Sequence, residues 1–172
     1  MIRHKIIDEV YVRTFGHSRN DIEFVGHFKF VWSNFSPKVV QELCGYWYEQ
    51  QAGVPIIELR HWQGKEADLL GSGRTVLHGL YIIYRALVID TMPPEIIRSV
   101  IAHELAHAHQ YATNWFIGRP DNQATQDLSE ADAKNREISW KYSPQDRDDW
   151  KVNIFNSDAI QRAVTHEQLH QD

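Results

Sequence analysis

The sequence of 172 residues lacks several features that define whole classes of proteins. It contains a single cysteine, Cys44, which excludes a disulfide framework and a cysteine-based zinc ribbon. No apolar run approaches the roughly 20 residues that a membrane-spanning helix needs, and the N-terminal residues are too charged for a secretory signal. We therefore expect a cytoplasmic protein that does not associate with membranes.

The sequence also lacks an excess of positive charge. It has 18 Lys and Arg against 23 Asp and Glu, a net charge of −5, and residues 114–172 hold 7 of the basic residues against 11 of the acidic ones. Because contacts to phosphate groups need a basic surface, we expect no nucleic-acid partner. Hydrophobic residues make up 42%, which is enough to form a core, and the length suits one domain that spans residues 1–172.

Hydrophobic periodicity divides this domain into a sheet-rich part, residues 1–92, and a helical part, residues 93–172. The first part is predicted to contain one helix that begins at Ser36-Pro37, and strands at residues 6–15, 22–32, 54–62, 76–83 and 86–89. The second part is predicted to contain helices from Pro93-Pro94 to about Tyr111, at about 127–141 and at about 157–170. This order predicts an α+β fold.

The motif that carries chemistry is His103-Glu104-Leu105-Ala106-His107, an HExxH sequence inside the helix predicted after Pro93. Residues four apart lie on one helical face, about 6 Å from each other, so the two imidazoles can bind one ion. Glu104 then lies beside the ion without binding it, where it can take a proton from a water molecule bound there. The motif therefore predicts a Zn²⁺ site, because zinc lowers the pKa of such a water to about 7.

The HExxH pattern occurs a second time, at His166-Glu167-Gln168-Leu169-His170. The first copy lies on an amphipathic helix and has 65 residues after it that can supply a third ligand, whereas the second ends two residues before the last. Chain ends fray, and His near the end of a helix suits the helix dipole. We expect the first copy to be the metal site and the second to be a solvated helix end, or the source of one His for the first site.

A catalytic zinc site needs a third protein ligand and one open position. Gln110 and Thr113 occupy the positions where a third His at short spacing would lie, so that ligand is excluded. The next predicted helix offers the carboxylates of Asp127, Glu130 and Asp132. Glu130 comes 23 residues after His107, which leaves room for a loop and an antiparallel return. We favour Glu130 over Asp127, although these acidic residues could instead form a capping box that only starts the helix.

With these features the sequence resembles those of the zincin metallopeptidases, specifically the gluzincin type. In that type, the two histidines of HExxH and a glutamate on the next helix are the zinc ligands. Residues 94–107 are similar to the active-site helix of small bacterial members, and Glu130-Ala131-Asp132-Ala133 is similar to their glutamate-containing helix. The resemblance covers roughly residues 74–140. It implies a mixed sheet packed on the active-site helix, with a peptide or protein substrate added as a strand at the sheet edge. The candidate for that edge strand is residues 80–90.

Two positions depart from the gluzincin pattern. Many gluzincins have an aspartate four residues after the ligand glutamate that supports a zinc-bound His, but Lys134 occupies that position here, and Asp132 replaces it only if the helix register differs. A donor to the developing oxyanion is also needed, and the candidates are Tyr111, Tyr142 and His166. The sequence therefore predicts a zinc metallopeptidase that hydrolyses peptide bonds. The alternatives are a catalytically inactive zincin-like module that binds zinc or a partner, and a His pair that binds no metal.

Overall fold

A mixed five-stranded sheet and the helices that cover it make up the part of the chain that the structure describes. The computed structural model describes residues 1–50, 55–62, 71–154 and 158–169. The strands are β1 (Ile2–Ile7), β2 (Val10–Thr14), β3 (Ile56–Arg60), β4 (Gly73–Val76) and β5 (Tyr81–Arg85). The helices are α1 (Asp21–Ser33), α2 (Pro37–Gln50), α3 (Ala86–Ile89), α4 (Pro94–Ala112), α5 (Gln123–Ser139), α6 (Pro144–Ile154) and α7 (Asp158–Leu169). The predicted α+β class is confirmed.

The strands follow the order β1-β2-β3-β5-β4 across the sheet. β1 and β2 form an antiparallel hairpin, and β2, β3 and β5 are parallel to one another. β4 pairs antiparallel with β5 and forms the edge, on that side, of the sheet that the described residues build. The parallel pairing of β2 and β3 requires a crossover connection, and α1 and α2 lie within it.

The prediction of a strand at residues 22–32 is wrong, because this segment lies in α1. Its β-branched and aromatic residues are typical of strands. Its buried residues nevertheless recur at the spacing of one helical face: Phe24, Val25, Phe28, Val31 and Trp32. α1 packs this face against α4. Tertiary packing therefore overrides the composition of the segment.

The prediction that residues 80–90 form the edge strand is also wrong. β5 lies between β3 and β4 inside the sheet, and Ala86–Ile89 form the short helix α3. The chain reverses at Leu77, His78 and Gly79, whose φ angles of 51°, 56° and 80° lie in the left-handed region. The turn interrupts the strand predicted at residues 76–83, so that this segment contributes to two strands, β4 and β5, which form a hairpin. β4 is the outer strand of this hairpin in the described sheet.

α4 is the central helix, and it contacts α1, α2, α5, α6 and β4. Its first turn begins at Pro94, as predicted. α5 begins at Gln123, where the side chain of Asn122 caps the helix by accepting a hydrogen bond of 3.0 Å from the backbone N–H of Thr125. Among the helices that the structure describes, none is long and apolar enough to cross a membrane.

The second HExxH copy lies at the end of α7, where its glutamate forms a buried ion pair. The Glu167 carboxylate pairs with Arg85 at the end of β5, and both side chains are fully buried. Glu167 also accepts a hydrogen bond of 3.2 Å from the backbone N–H of Trp62. The prediction of a solvated helix end is therefore wrong for Glu167, although His166 is exposed. His170 lies outside the described residues.

We expect Glu167→Ala to lower the free energy of unfolding by about 3–5 kcal/mol, because it removes a fully buried carboxylate that pairs with the buried guanidinium of Arg85. Denaturant unfolding measures this loss. The matched control is Arg162→Ala on the same helix, since the Arg162 side chain is 81% exposed. We expect the control to change stability by less than about 0.5 kcal/mol. Equal effects of the two substitutions would contradict the structural role of the ion pair.

Candidate metal centre

His103, His107 and Glu130 bring three ligand atoms to one point between α4 and α5. The Nε2 atoms of the two imidazoles lie 3.2 Å apart. The Glu130 carboxylate places Oε2 3.2 Å from Nε2 of His103 and Oε1 3.0 Å from Nε2 of His107. Ligand atoms around a tetrahedral zinc ion with bonds of about 2.0–2.1 Å are separated by about 3.3 Å. The donor set therefore fits a single metal ion.

A buried carboxylate holds the His103 ring in the orientation that metal binding requires. Nδ1 of His103 lies 3.0 Å from Oε2 of Glu137, and the Glu137 side chain is fully buried. Because the carboxylate only accepts hydrogen bonds, the proton of the neutral imidazole resides on Nδ1. Nε2 is left with a lone pair directed toward Glu130 and His107.

The side chain of Gln110 orients the His107 ring in the same way. Oε1 of Gln110 lies 2.9 Å from Nδ1 of His107. The orientation of this amide is determined, because its Nε2 donates to the backbone carbonyl of Ser129 at 2.8 Å and to Asp132 at 3.0 Å. Gln110 therefore presents its oxygen to His107, which places the proton on Nδ1 and leaves Nε2 free to bind a metal ion.

The supporting carboxylate of Glu137 is itself paired with a cation from α6. Arg147, which is also buried, donates to the Glu137 carboxylate and, at 3.1 Å, to Oγ of Ser99. This ion pair compensates the cost of burying Glu137 as a charged group. Three helices therefore contribute to the orientation of the His103 ring: α4, α5 and α6.

The charges at this centre strongly favour a cation. Burial disfavours protonation of His103, but the hydrogen bonds to Glu130 and Glu137 outweigh it and raise the pKa of His103 to about 9. Burial also disfavours protonation of His107, but the hydrogen bond to Glu130 and the negative charges of Glu104 and Glu130 together outweigh burial and raise the pKa of His107. The hydrogen bonds from the two imidazoles hold the pKa of Glu130 well below its usual range. A metal ion would bind the same lone pairs as these protons.

Glu104 is not one of the three convergent ligands. Its side chain is buried beside the two histidines, and its negative charge contributes to raising the pKa of both. It lies on the side of α4 that faces β4, whose Thr75 donates a hydrogen bond of 2.9 Å to Oε1 of Glu104. A carboxylate in this place can exchange a proton with a molecule at the metal position.

The other charged residues that the sequence placed near the site, Asp127, Asp132 and Lys134, do not contact the convergent ligand atoms and have other partners. Asp127, the alternative third ligand, accepts a hydrogen bond from Gln123 and is not part of the convergent group. Asp132 supports His107 indirectly through Gln110. Lys134 forms an ion pair of 2.9 Å with Asp148 of α6. The supporting carboxylate for His103 is therefore Glu137, which sequence reasoning missed, although it follows Glu130 by two helical turns on the same face.

An open cavity surrounds the three ligands and Glu104. Tyr111, one of the three candidate oxyanion donors, is among the residues that line it. The other two candidates lie elsewhere in the part of the chain that the structure describes: Tyr142 packs against the hydrophobic core, and His166 contacts the ring of His61. Lys151 of α6 also lines the cavity, and sequence reasoning did not single it out.

Comparison of the chain with models of known protein families and with curated proteins gave no match. One solved structure, that of a Wss1 mutant from Saccharomyces cerevisiae, is similar over 77% of this chain and 94% of that chain. The two sequences are 16% identical, and the TM-score is 0.38. A likeness at this level establishes neither a shared fold nor a shared activity, so the geometry of the site carries the functional argument.

We expect Glu137→Gln to weaken metal binding about 10- to 100-fold, because it removes the charged acceptor that orients His103. Competition of the purified protein with a chromogenic zinc chelator measures the affinity, and circular dichroism shows whether the variant folds. Asp127→Asn is the matched control, since it neutralises an exposed carboxylate outside the group. An unchanged affinity in Glu137→Gln, or an equal loss in Asp127→Asn, would show that the ligand set or its support is wrong.

Proposed function

We propose that this protein is a zinc-dependent metallopeptidase of the gluzincin type. The zinc ligands in this proposal are His103, His107 and Glu130. The general base is Glu104. The observation that supports the proposal most strongly is the convergence of the two Nε2 atoms and the Glu130 carboxylate, whose oxygens lie 3.0 and 3.2 Å from these nitrogens. The Nδ1 atom of each imidazole is already hydrogen-bonded.

The chemistry of the donor set favours zinc in a catalytic role. Two imidazole nitrogens and one carboxylate oxygen are ligands typical of catalytic zinc. Within the described residues, the convergent group contains three ligands, and the cavity opens onto it. A structural zinc site would be closed by a fourth protein ligand. The arrangement therefore suits a site that leaves one position for water or substrate.

Bound zinc would polarise the scissile carbonyl and lower the pKa of the attacking water. The remaining steps belong to residues of the chain. Glu104 accepts the proton of that water on its carboxylate and later delivers it to the nitrogen of the leaving amine. Glu137 and Gln110 hold the ligand imidazoles in a fixed orientation while the substrate changes shape.

The edge strand offers a place for an extended peptide. In the described sheet, β4 is paired on one side only, and it runs beside the HExxH helix. The free backbone groups of such an edge can pair with the main chain of a substrate. We propose that a peptide or protein substrate adds as a strand to β4, in place of the edge at residues 80–90 that sequence reasoning favoured.

The alternative function is a zincin-like module that binds zinc without hydrolysis. Its main support was the absence of an aspartate at Lys134 and of an assigned oxyanion donor. Glu137 supports His103 in place of that aspartate, which removes the first of these grounds. A buried Glu104 beside the ligands has no purpose in a purely structural site. Both observations favour the peptidase.

We expect Glu104→Gln to reduce hydrolysis at least about 100-fold, because general-base catalysis contributes rate factors of this size or larger. The assay is digestion of a broad peptide library by the zinc-loaded full chain, read by mass spectrometry. Chelator should abolish cleavage by the wild type, and added zinc should restore it. Metal analysis should still find one zinc per chain in Glu104→Gln, since Glu104 is not a ligand.

The matched control is Glu95→Gln, the same chemical change at an exposed position in the first turn of α4. We expect it to cleave like the wild type. Loss of zinc in Glu104→Gln together with full activity would refute the assigned roles. A wild type that holds zinc and cleaves no member of the library would support the binding module instead.

A further inference from the structure

Thr75 is the residue of the edge strand that contacts Glu104 directly. Its hydroxyl lies 2.9 Å from Oε1 of the Glu104 carboxylate and 3.0 Å from the backbone carbonyl oxygen of the same residue. Both of these oxygens are acceptors when the carboxylate is ionised, so the hydroxyl is the donor and shares its single proton between them. Thr75 therefore connects the carboxylate of Glu104 to its own main chain and to β4.

Gly73 lies on the same face of β4 as Thr75, because alternate residues of a strand share a face. A Cβ atom at this position would lie 2.8 Å from Cγ and 3.2 Å from Cδ of Glu104. Such distances are too short for any side chain at position 73. Because glycine has no side chain, β4 can pack directly against Glu104. The carboxylate is therefore enclosed between α4 and β4 and has little freedom to rotate.

The two carboxylate oxygens of Glu104 have different surroundings. Oε1 accepts the hydrogen bond from Thr75. Oε2 makes no hydrogen bond with any residue in the part of the chain that the structure describes. One oxygen is therefore held by the edge strand, and the other is left available for a water molecule in the cavity that Glu104 lines.

We infer that Thr75 is a positioning residue for the hydrolysis, which holds Oε1 of Glu104 so that Oε2 meets the attacking water. This inference rests on the proposed peptidase function. Because Thr75 belongs to the strand that would pair with the substrate, the same strand binds the peptide and orients the general base. A proton acceptor misplaced by about 1 Å can cost about 100-fold in rate, so one hydroxyl suffices for a large effect.

The test compares Thr75→Val, which has nearly the same shape without the hydroxyl, with Thr75→Ser, which keeps the hydroxyl. In the zinc-loaded full chain, we expect Thr75→Val to lower kcat about 10- to 100-fold with little change in KM. Thr75→Ser should restore kcat to within about threefold of the wild type, since it keeps the donor to Oε1. Zinc affinity should be unchanged in both variants, because Thr75 does not contact a ligand imidazole.

Thr91→Val is the matched control, since Thr91 donates its hydroxyl to the backbone carbonyl of Val88, away from the cavity. We expect it to retain the wild-type kcat. Should Thr75→Val fold poorly, Thr75→Ala removes the same hydroxyl without adding an apolar branch and must show the same loss of kcat.

Two results would overturn the inference while leaving the peptidase function intact. The first is an unchanged kcat in Thr75→Val or Thr75→Ala. The second is a loss of kcat that Thr75→Ser does not restore, or that accompanies a loss of zinc, since either would indicate a merely structural role. A wild type that does not hydrolyse peptides would overturn both the inference and the proposed function.

Discussion

The geometry of the site depends on the hydrogen bonds and the ion pair that the buried Glu137 carboxylate forms. A charged carboxylate without contact with water costs several kcal/mol unless donors surround it. Here the donors come from other helices: Ser99 and His103 belong to α4, and Arg147 belongs to α6. Their contacts fix α5 against both helices. Because Glu130 lies two turns earlier on the same face of α5, fixing Glu137 also places Glu130 opposite the histidine pair.

The same hydrogen bonds orient the candidate ligands in a way that suits a metal ion. Glu137 orients one imidazole and Gln110 orients the other, so both rings present the nitrogen that faces Glu130. Ligands that are already oriented lose little conformational entropy when they bind, which increases affinity. The hydrogen bonds between the imidazoles and the carboxylates also shift the pKa values at the site: they raise the pKa of His103 against the effect of burial and hold the pKa of Glu130 well below its usual range.

The sequence predicted the parts of the site that follow from the period of a single helix, and missed the parts that depend on packing between helices. His103 and His107 share a face because they are four residues apart, and the next helix supplies Glu130. Glu137 and Arg147 were missed because they are charged residues on helices without an apolar stripe. α6 was not predicted for the same reason, and α1 was mistaken for a strand because its β-branched and aromatic residues are typical of strands. The α+β class survived these errors because the structure contains both a sheet and the predicted helices α4, α5 and α7.

The sequence-based prediction placed the edge strand at residues 80–90 instead of at β4 because it did not detect the turn between β4 and β5. The same turn explains how β4 reaches Glu104. The turn before β5 uses left-handed φ angles at two non-glycine residues, which no sequence pattern indicates. The indole of Trp47 donates to the carbonyl of Gly79 in this turn at 2.9 Å. A Cβ at Gly79 would lie 3.0 Å from Cα of Ala108, so the turn rests directly on α4. α2 and α4 together thus hold β4 against Glu104, and the helix that carries the proposed histidine ligands also positions the strand that contacts the proposed general base.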